Sequence, residues 1–179
     1  QRIERLITDY SQILKDEVAL SNEQMNVIDL KLIVKSVVDD FNSIYETKRG
    51  IKIEFVDEGN LNEYKISGIE NRIEQIIANL LDNSISFSAD NKQILVQLNK
   101  DINKNILLKV IDEGQGFKEK DTDKIFKRFY SNRPEKFGEH SGLGLNIVKN
   151  LVELHGGSIR ASNNPNQKGA NVEIIFPKS

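Results

Sequence analysis

Asn79, Asp82, Asn83 and Ser86 fall three and four residues apart, the spacing that brings side chains onto one face of a helix. Small polar side chains beside an apolar stripe are unusual for a surface helix, which ordinarily carries Lys and Glu. Amide oxygens so placed can ligate a hard cation such as magnesium and leave it room for water and phosphate oxygens. The bland alternative is a polar face turned to solvent. A second candidate is Asp112, delivered by the apolar run Val110-Ile111 and followed by Glu113-Gly114-Gln115-Gly116-Phe117. A carboxylate at a strand end can accept a hydrogen bond from an amine and so choose one base over another. Glycines one residue apart let backbone approach a flat or charged ligand. On its own the pattern also suits an ordinary strand-to-loop turn.

The third candidate is His140-Ser141-Gly142-Leu143-Gly144-Leu145-Asn146-Ile147-Val148-Lys149. Here glycines open an amphipathic helix, and free amides at a positive dipole end suit phosphate. The run is neither Gly-x-x-x-x-Gly-Lys-Ser/Thr nor Gly-x-Gly-x-x-Gly. His140, beside these glycines, is either a phosphate contact or a solvated loop residue. His155, near the far end of the same helix, reads as a stabiliser of that end rather than a chemical group. Lys127, Arg128, Arg133 and Lys136 either pair with phosphates or are plain surface charge.

Several elements must position these groups. Residues 1–20 place Ile3, Leu6, Ile7, Tyr10, Ile13, Leu14 and Val18 on one narrow helical stripe, suited to a bundle seam or to packing on the chain's own core. A polar break follows, then a short extended stretch at 27–30. A helix is predicted over about 31–48, with Leu32, Val34, Val37, Val38, Phe41 and Ile44 mostly inward and Gly50 as its stop. Strands are predicted at 51–56 and 64–67, and a long helix at about 69–87. Alternation marks strands at 93–99 and 105–111. After the charged, glycine-containing region 112–141 come a helix at about 143–155, ended by Gly156-Gly157, and strands at 158–161 and 170–176 around a loop at 162–169. Helices and strands alternate without a strict βαβ rhythm. The expected fold is a two-layer α/β sandwich, with helices on one face of a mixed sheet.

Bulk properties narrow the class. Hydrophobic residues make up 38% of the 179, enough for a core, and the net charge of −2 argues against a nucleic-acid partner. The chain has no cysteine, which excludes disulfides, zinc–thiolate sites and thiol catalysis. That fits a reducing compartment. It starts at Gln1 with no apolar run long enough for a membrane span, and it reads as a piece of a longer protein.

In order, the chain reads Asn79-Leu80-Leu81-Asp82-Asn83-Ser84-Ile85-Ser86-Phe87-Ser88, then Asp112-x-Gly114-x-Gly116, then Ile125-Phe126-Lys127-Arg128-Phe129-Tyr130, then Gly142-Leu143-Gly144-Leu145. This resembles the asparagine box, first glycine box, phenylalanine box and second glycine box of sensor histidine kinases. Those kinases share a wider family with the gyrase, heat-shock and mismatch-repair ATPases, whose ATP-binding fold is the Bergerat type. The resemblance covers about residues 27–177 and continues through Leu151-Val152-Glu153-Leu154-His155-Gly156-Gly157. Phe129-Tyr130-Ser131-Asn132-Arg133-Pro134, with Phe137-Gly138-Glu139-His140-Ser141-Gly142, is similar to the ChvG-type envelope-stress sensor kinases.

The resemblance implies Mg-ATP as substrate and a role for each matching residue. Asn83 would ligate the magnesium ion, with Asn79 supporting through water, and these two would be the catalytic pair. Asp112 would accept the adenine amine, Gly114 and Gly116 would let the base lie against backbone, and Phe87 would pack near it. His140, Ser141, Gly142, Leu143, Gly144 and Leu145 would form the phosphate end, the glycines giving amides and the leucines anchoring the helix. Residues 117–141 would form a lid, with Arg133 a candidate phosphate contact. Residues 1–22 would be the end of the second helix of a dimerisation hairpin, and 23–179 the catalytic domain. The implied partners are that hairpin, a second copy of the kinase and a response regulator. The implied location is the cytoplasmic part of an inner-membrane sensor.

Two departures from the pattern matter. Many such kinases carry Lys or Arg three residues after the magnesium asparagine, where this chain has Ser86. The family phosphorylates a histidine on an upstream helix, whereas the two histidines here, His140 and His155, both lie downstream. Three functions therefore compete: a histidine kinase half-site, an ATP-hydrolysing clamp, and a degenerate nucleotide-binding signalling module. The clamp needs a glutamate base to activate water. Asn79 stands at that position, and an amide takes no proton near neutral pH.

Overall fold

Asp29 ends strand β1 (Asn26–Asp29) and caps helix α1 (Leu30–Arg49), its Oδ1 accepting the Lys31 N–H at 3.0 Å. The structure is a computed structural model, and it describes residues 24–60, 63–118, 122–127, 144–165 and 168–179. The predicted helix over residues 1–20 lies outside them. Helix α1 buries Leu30, Ile33, Val34, Val37 and Val38 and stops where Gly50 takes a left-handed conformation. Leu32 was expected inward but is 67% exposed; two residues on from Leu30 is more than half a turn away from the buried stripe. Ile44 is also exposed, although it keeps the stripe's angle.

Strand β3 (Lys65–Gly68) pairs antiparallel with β1, starting one residue later than the spacing suggested. Helix α2 (Glu70–Phe87) follows. The main sheet has five strands: β2 (Lys52–Asp57), β4 (Gln93–Lys100), β5 (Ile106–Asp112), β6 (Ser158–Asn163) and β7 (Ala170–Phe176). Their spatial order is β2-β4-β5-β7-β6, with β2 parallel to β4 and every other pair antiparallel. A short 3-10 turn (Thr122–Phe126) and helix α3 (Gly144–Leu154) lie between β5 and β6 in the chain.

The alternation in each strand decides which face is covered. Ile53, Ile94, Val96, Leu98, Leu108, Val110, Val172 and Ile174 all point to one side and are buried there. The helices lie on that side, α1 against β2, α2 against β5 and α3 against β6, with α2 touching both other helices. The opposite face carries a cross-strand charge row, Lys109–Glu173–Arg160, set by the β5–β7 and β6–β7 registers. Such exposed pairs add little stability, but they mark the solvent side of the sheet. This is the expected sandwich of helices on one face of a mixed sheet.

The edge strand β2 would otherwise present unpaired backbone. Asn42 covers it from α1, accepting the Ile53 N–H at 2.8 Å and donating to the Ile53 carbonyl at 2.9 Å. At the end of β2, the Asp57 carboxylate takes the Lys31 ammonium at 2.8 Å and the hydroxyl of the fully buried Tyr64. That corner lies at the opposite end of the sheet from Asp112.

Candidate nucleotide-binding site

Asp112 is the last residue of β5 and only 2% exposed. Its Oδ1 accepts the Gly114 N–H at 2.9 Å and the Ala170 N–H at 3.1 Å, the second from the start of β7. Among the described residues no hydrogen bond ends on Oδ2. Burial pushes the carboxyl above its ordinary pKa, and the two amides pull the other way less strongly. The strand therefore holds a half-satisfied acceptor at its tip, which is the chemistry that reads an amine.

The end of α2 meets this loop. A Cβ on Gly114 would lie 2.6 Å from the Phe87 carbonyl oxygen, so only glycine allows the approach. The Phe87 ring meets Phe117 edge to face, with centroids 6.2 Å apart. Both phenylalanines are largely buried, and they join the asparagine helix to the first glycine loop.

The predicted polar face of α2 is not uniform. Asn79 and Asp82 are half-buried, while Asn83 and Ser86 are 5% and 4% exposed. The Ser86 hydroxyl donates to the Asn83 carbonyl of its own helix at 2.8 Å. It is thus turned back on the turn before it, as a serine inside a helix commonly is. No group of three or more His, Cys, Asp or Glu that could hold a metal occurs among the described residues. A magnesium ion that shares its shell with phosphate oxygens and water needs no such cage and takes only one or two oxygen ligands from the protein. Asn83 and Asn79 are chemically suited to that limited role.

Arg49, which the sequence reading passed over, holds this same C-terminal end of α2. The helix has no basic residue in its own last turn. From α1, the Arg49 guanidinium donates to the Ile85 carbonyl at 2.8 Å, the Ser88 carbonyl at 2.7 Å and Asp90 Oδ1 at 2.8 Å. A cation there also meets the negative end of the helix dipole. The sequence signal was its place just before Gly50, at a helix end.

At the second glycine box, Gly144 is the first residue of α3, and among the described residues a Cβ there would meet nothing within 4 Å. Leu145 behind it is buried. Asn146 donates to the Phe126 carbonyl at 3.0 Å, and Lys149 lies 5.9 Å above the Phe126 ring, tying the phenylalanine box to the helix of the second glycine box. Arg133, His140, Ser141, Gly142 and Leu143, and most of the predicted lid, lie outside the described residues.

His155 does stabilise a helix end, though not through charge. Its Nδ1 lies 2.7 Å from the Leu151 carbonyl, and its Nε2 accepts the Ile69 N–H at 3.2 Å. Accepting at Nε2 requires the neutral ring with the proton on Nδ1. Burial lowers its pKa, and the Leu151 carbonyl opposes the shift.

The fold and the sequence together define the class of this chain, a domain of the histidine kinase-like ATPase family. Residues 68–179, more than half of the chain, match the family described as histidine kinase-, DNA gyrase B-, and HSP90-like ATPase, and the chain belongs to that family. It is 37% identical over 169 residues to the sensor protein ChvG of Agrobacterium fabrum, covering 91% of this chain but only 28% of that protein. Two solved structures share the fold. A mycobacterial sensor histidine kinase, MprB, matches with a TM-score of 0.73 at 23% identity, over 86% of this chain and 97% of that one. The histidine kinase ThkA, in complex with the response regulator protein TrrA, matches with a TM-score of 0.74 at 22% identity, over 99% of this chain and 49% of that one. Among the described residues, no helix is long and apolar enough to cross a membrane.

Proposed function

We propose that this chain is the catalytic part of a two-component sensor histidine kinase, binding Mg-ATP and giving its γ-phosphoryl group to a histidine on a dimerisation hairpin. The observation that carries the reading is Asp112: a buried carboxylate with Oδ2 uncommitted among the described residues, between backbone that only glycine permits. In this reading Asp112 accepts the adenine amine and Phe87 lies beside the base. Asn83 ligates magnesium, with Asn79 assisting through water, and Gly144 contributes to the phosphate end. Magnesium, when bound, would offset part of the negative charge of the triphosphate. The chain's own residues then orient the triphosphate, and catalysis is mostly positioning and electrostatic stabilisation. Asn79 cannot serve as a base for water, which favours transfer over hydrolysis.

The whole protein would be a homodimeric, membrane-anchored sensor with this part in the cytoplasm and a response regulator as recipient. The similarity to ChvG and to a kinase solved with its response regulator supports that arrangement. The test uses the chain, Mg-ATP and a separate protein carrying the matching hairpin. Acid-labile phosphohistidine should appear on the hairpin and not on this chain, with slow hydrolysis by the chain alone. Asn83→Ala should remove the magnesium dependence of ATP binding measured by calorimetry. Rapid multiple-turnover hydrolysis without the hairpin would instead identify a clamp-type ATPase.

A further inference from the structure

Strand β6 runs to Asn163, two residues beyond the predicted end, and there it pairs with Ala170 at the start of β7. The turn between them reaches across to the Asp112 loop. Asn163 Oδ1 accepts the Phe117 N–H at 2.6 Å and its Nδ2 donates to the Phe117 carbonyl at 3.0 Å. Asn164 Nδ2 donates to the Asp112 carbonyl at 3.0 Å, and its own N–H closes the turn on the Gly169 carbonyl at 2.9 Å. Gly169 sits at φ +131°, and a Cβ on it would overlap the Asp112 carbonyl oxygen. A Cβ on Gly116 would lie 2.7 Å from Asn163 Oδ1. The first glycine loop is therefore gripped at its first residue and at Phe117, both times by a side-chain amide of the β6–β7 turn.

We propose that Asn163 and Asn164 are positioning residues of the nucleotide site: they fix the Asp112–Phe117 backbone against β7 and so set where Asp112 Oδ2 meets the base. The inference rests on the reading of Asp112 as the base acceptor. The amide is the group this grip requires. Its separate oxygen and nitrogen accept from the N–H and donate to the C=O of one residue at once, whereas a carboxylate can only accept. The grip also acts on the base end only, since Asp112 and Phe117 border Phe87 and lie on a different loop from Gly144. Loosening it should change recognition of the base amine more than affinity for phosphate.

The experiment measures binding of ATP and of inosine triphosphate, which carries a carbonyl in place of the amine. It compares the chain with Asn163→Ala, Asn164→Ala and the near-isosteric Asn163→Asp, each alongside a melting curve. The unaltered chain should prefer ATP. Each alanine variant should lose about fivefold or more in ATP affinity, the scale of one neutral hydrogen bond, with a much smaller change for inosine triphosphate. Asn163→Asp keeps the acceptor for the Phe117 N–H but sets a carboxylate oxygen against the Phe117 carbonyl, so it should lose the preference at least as fully as Asn163→Ala. If the unaltered chain shows no preference for ATP, the base-acceptor reading of Asp112 is wrong and this inference falls with it. If the preference exists and both alanine variants keep it, the amides do not position the site. Equal losses for both nucleotides with a lowered melting temperature would mean a purely structural grip.

Discussion

At Asp112, the proposed base acceptor, burial works against stability. Removing a carboxylate from water costs folding free energy, and two backbone amides only partly offset it, which is why its pKa lies above the ordinary value. A carboxyl whose native pKa is raised lowers stability as pH rises from its unfolded pKa through its native one, because the native state holds the proton longer. Asp112→Asn removes that penalty and keeps an oxygen for Gly114 and Ala170, but sets an NH2 where the proposed function has Oδ2 meet the base amine. The variant should melt at the same temperature or higher near neutral pH, lose the corresponding pH slope, and bind ATP more weakly by about 1.5–3 kcal/mol. Calorimetry and melting curves across pH check both halves; parallel losses of stability and affinity would remove Asp112 from the recognition role. This residue was legible in the sequence because a strand's alternation and two near glycines are local signals. The amides that hold it in place were not legible: Asn163 and Asn164 act across 46 and 52 residues, and nothing local distinguishes them from loop polarity. Ser86 was legible as a departure from the family pattern, but its turned-back hydroxyl was not.

Among the elements, helices α1 and α2 were readable from their apolar periodicity, and the strands from alternation. What joins their ends was not. The sandwich places the end of α1 beside the end of α2, and Arg49 fills the gap with two carbonyl contacts. Because α2 carries Asn79, Asn83 and Phe87, its last turn is part of the frame of the proposed site. Arg49→Ala leaves the Ile85 and Ser88 carbonyls without this donor and should cost about 2–3 kcal/mol of stability, as for charge-assisted bonds at a helix end. The Asp90 contact adds little, since that carboxylate is largely exposed. Arg49→Lys should recover only part of the loss, because one ammonium cannot span two carbonyls as a planar fork does. ATP affinity should fall with Arg49→Ala at a temperature where the variant is still folded. A variant with unchanged melting temperature would show that water serves those carbonyls equally well.

For the whole molecule, the strand order β2-β4-β5-β7-β6 could not be read from the chain, because pairing depends on contacts far apart in sequence. The same long reach makes one side chain a gauge of global stability. His155 joins the end of α3 to Ile69, the residue before α2, across 86 residues. Only the neutral ring can do this: a second proton on Nε2 would set two donors against each other. Burial depresses its native pKa, against the pull of the Leu151 carbonyl, and the Ile69 contact needs the same neutral form. The unfolded chain then takes up the proton first as pH falls. The His155 contribution is complete above the unfolded imidazole value of about 6.5 and is lost progressively as pH drops through the lower native value. His155→Gln should be less stable than the unaltered chain at pH 8, by about 1–2 kcal/mol for a disrupted buried hydrogen-bond pair. The gap should narrow as pH falls, because glutamine has no proton to gain. Denaturant melts of both proteins from pH 8 to pH 5 make the comparison. A gap that stays constant over that range would mean His155 does not couple protonation to the packing of α3 on α2.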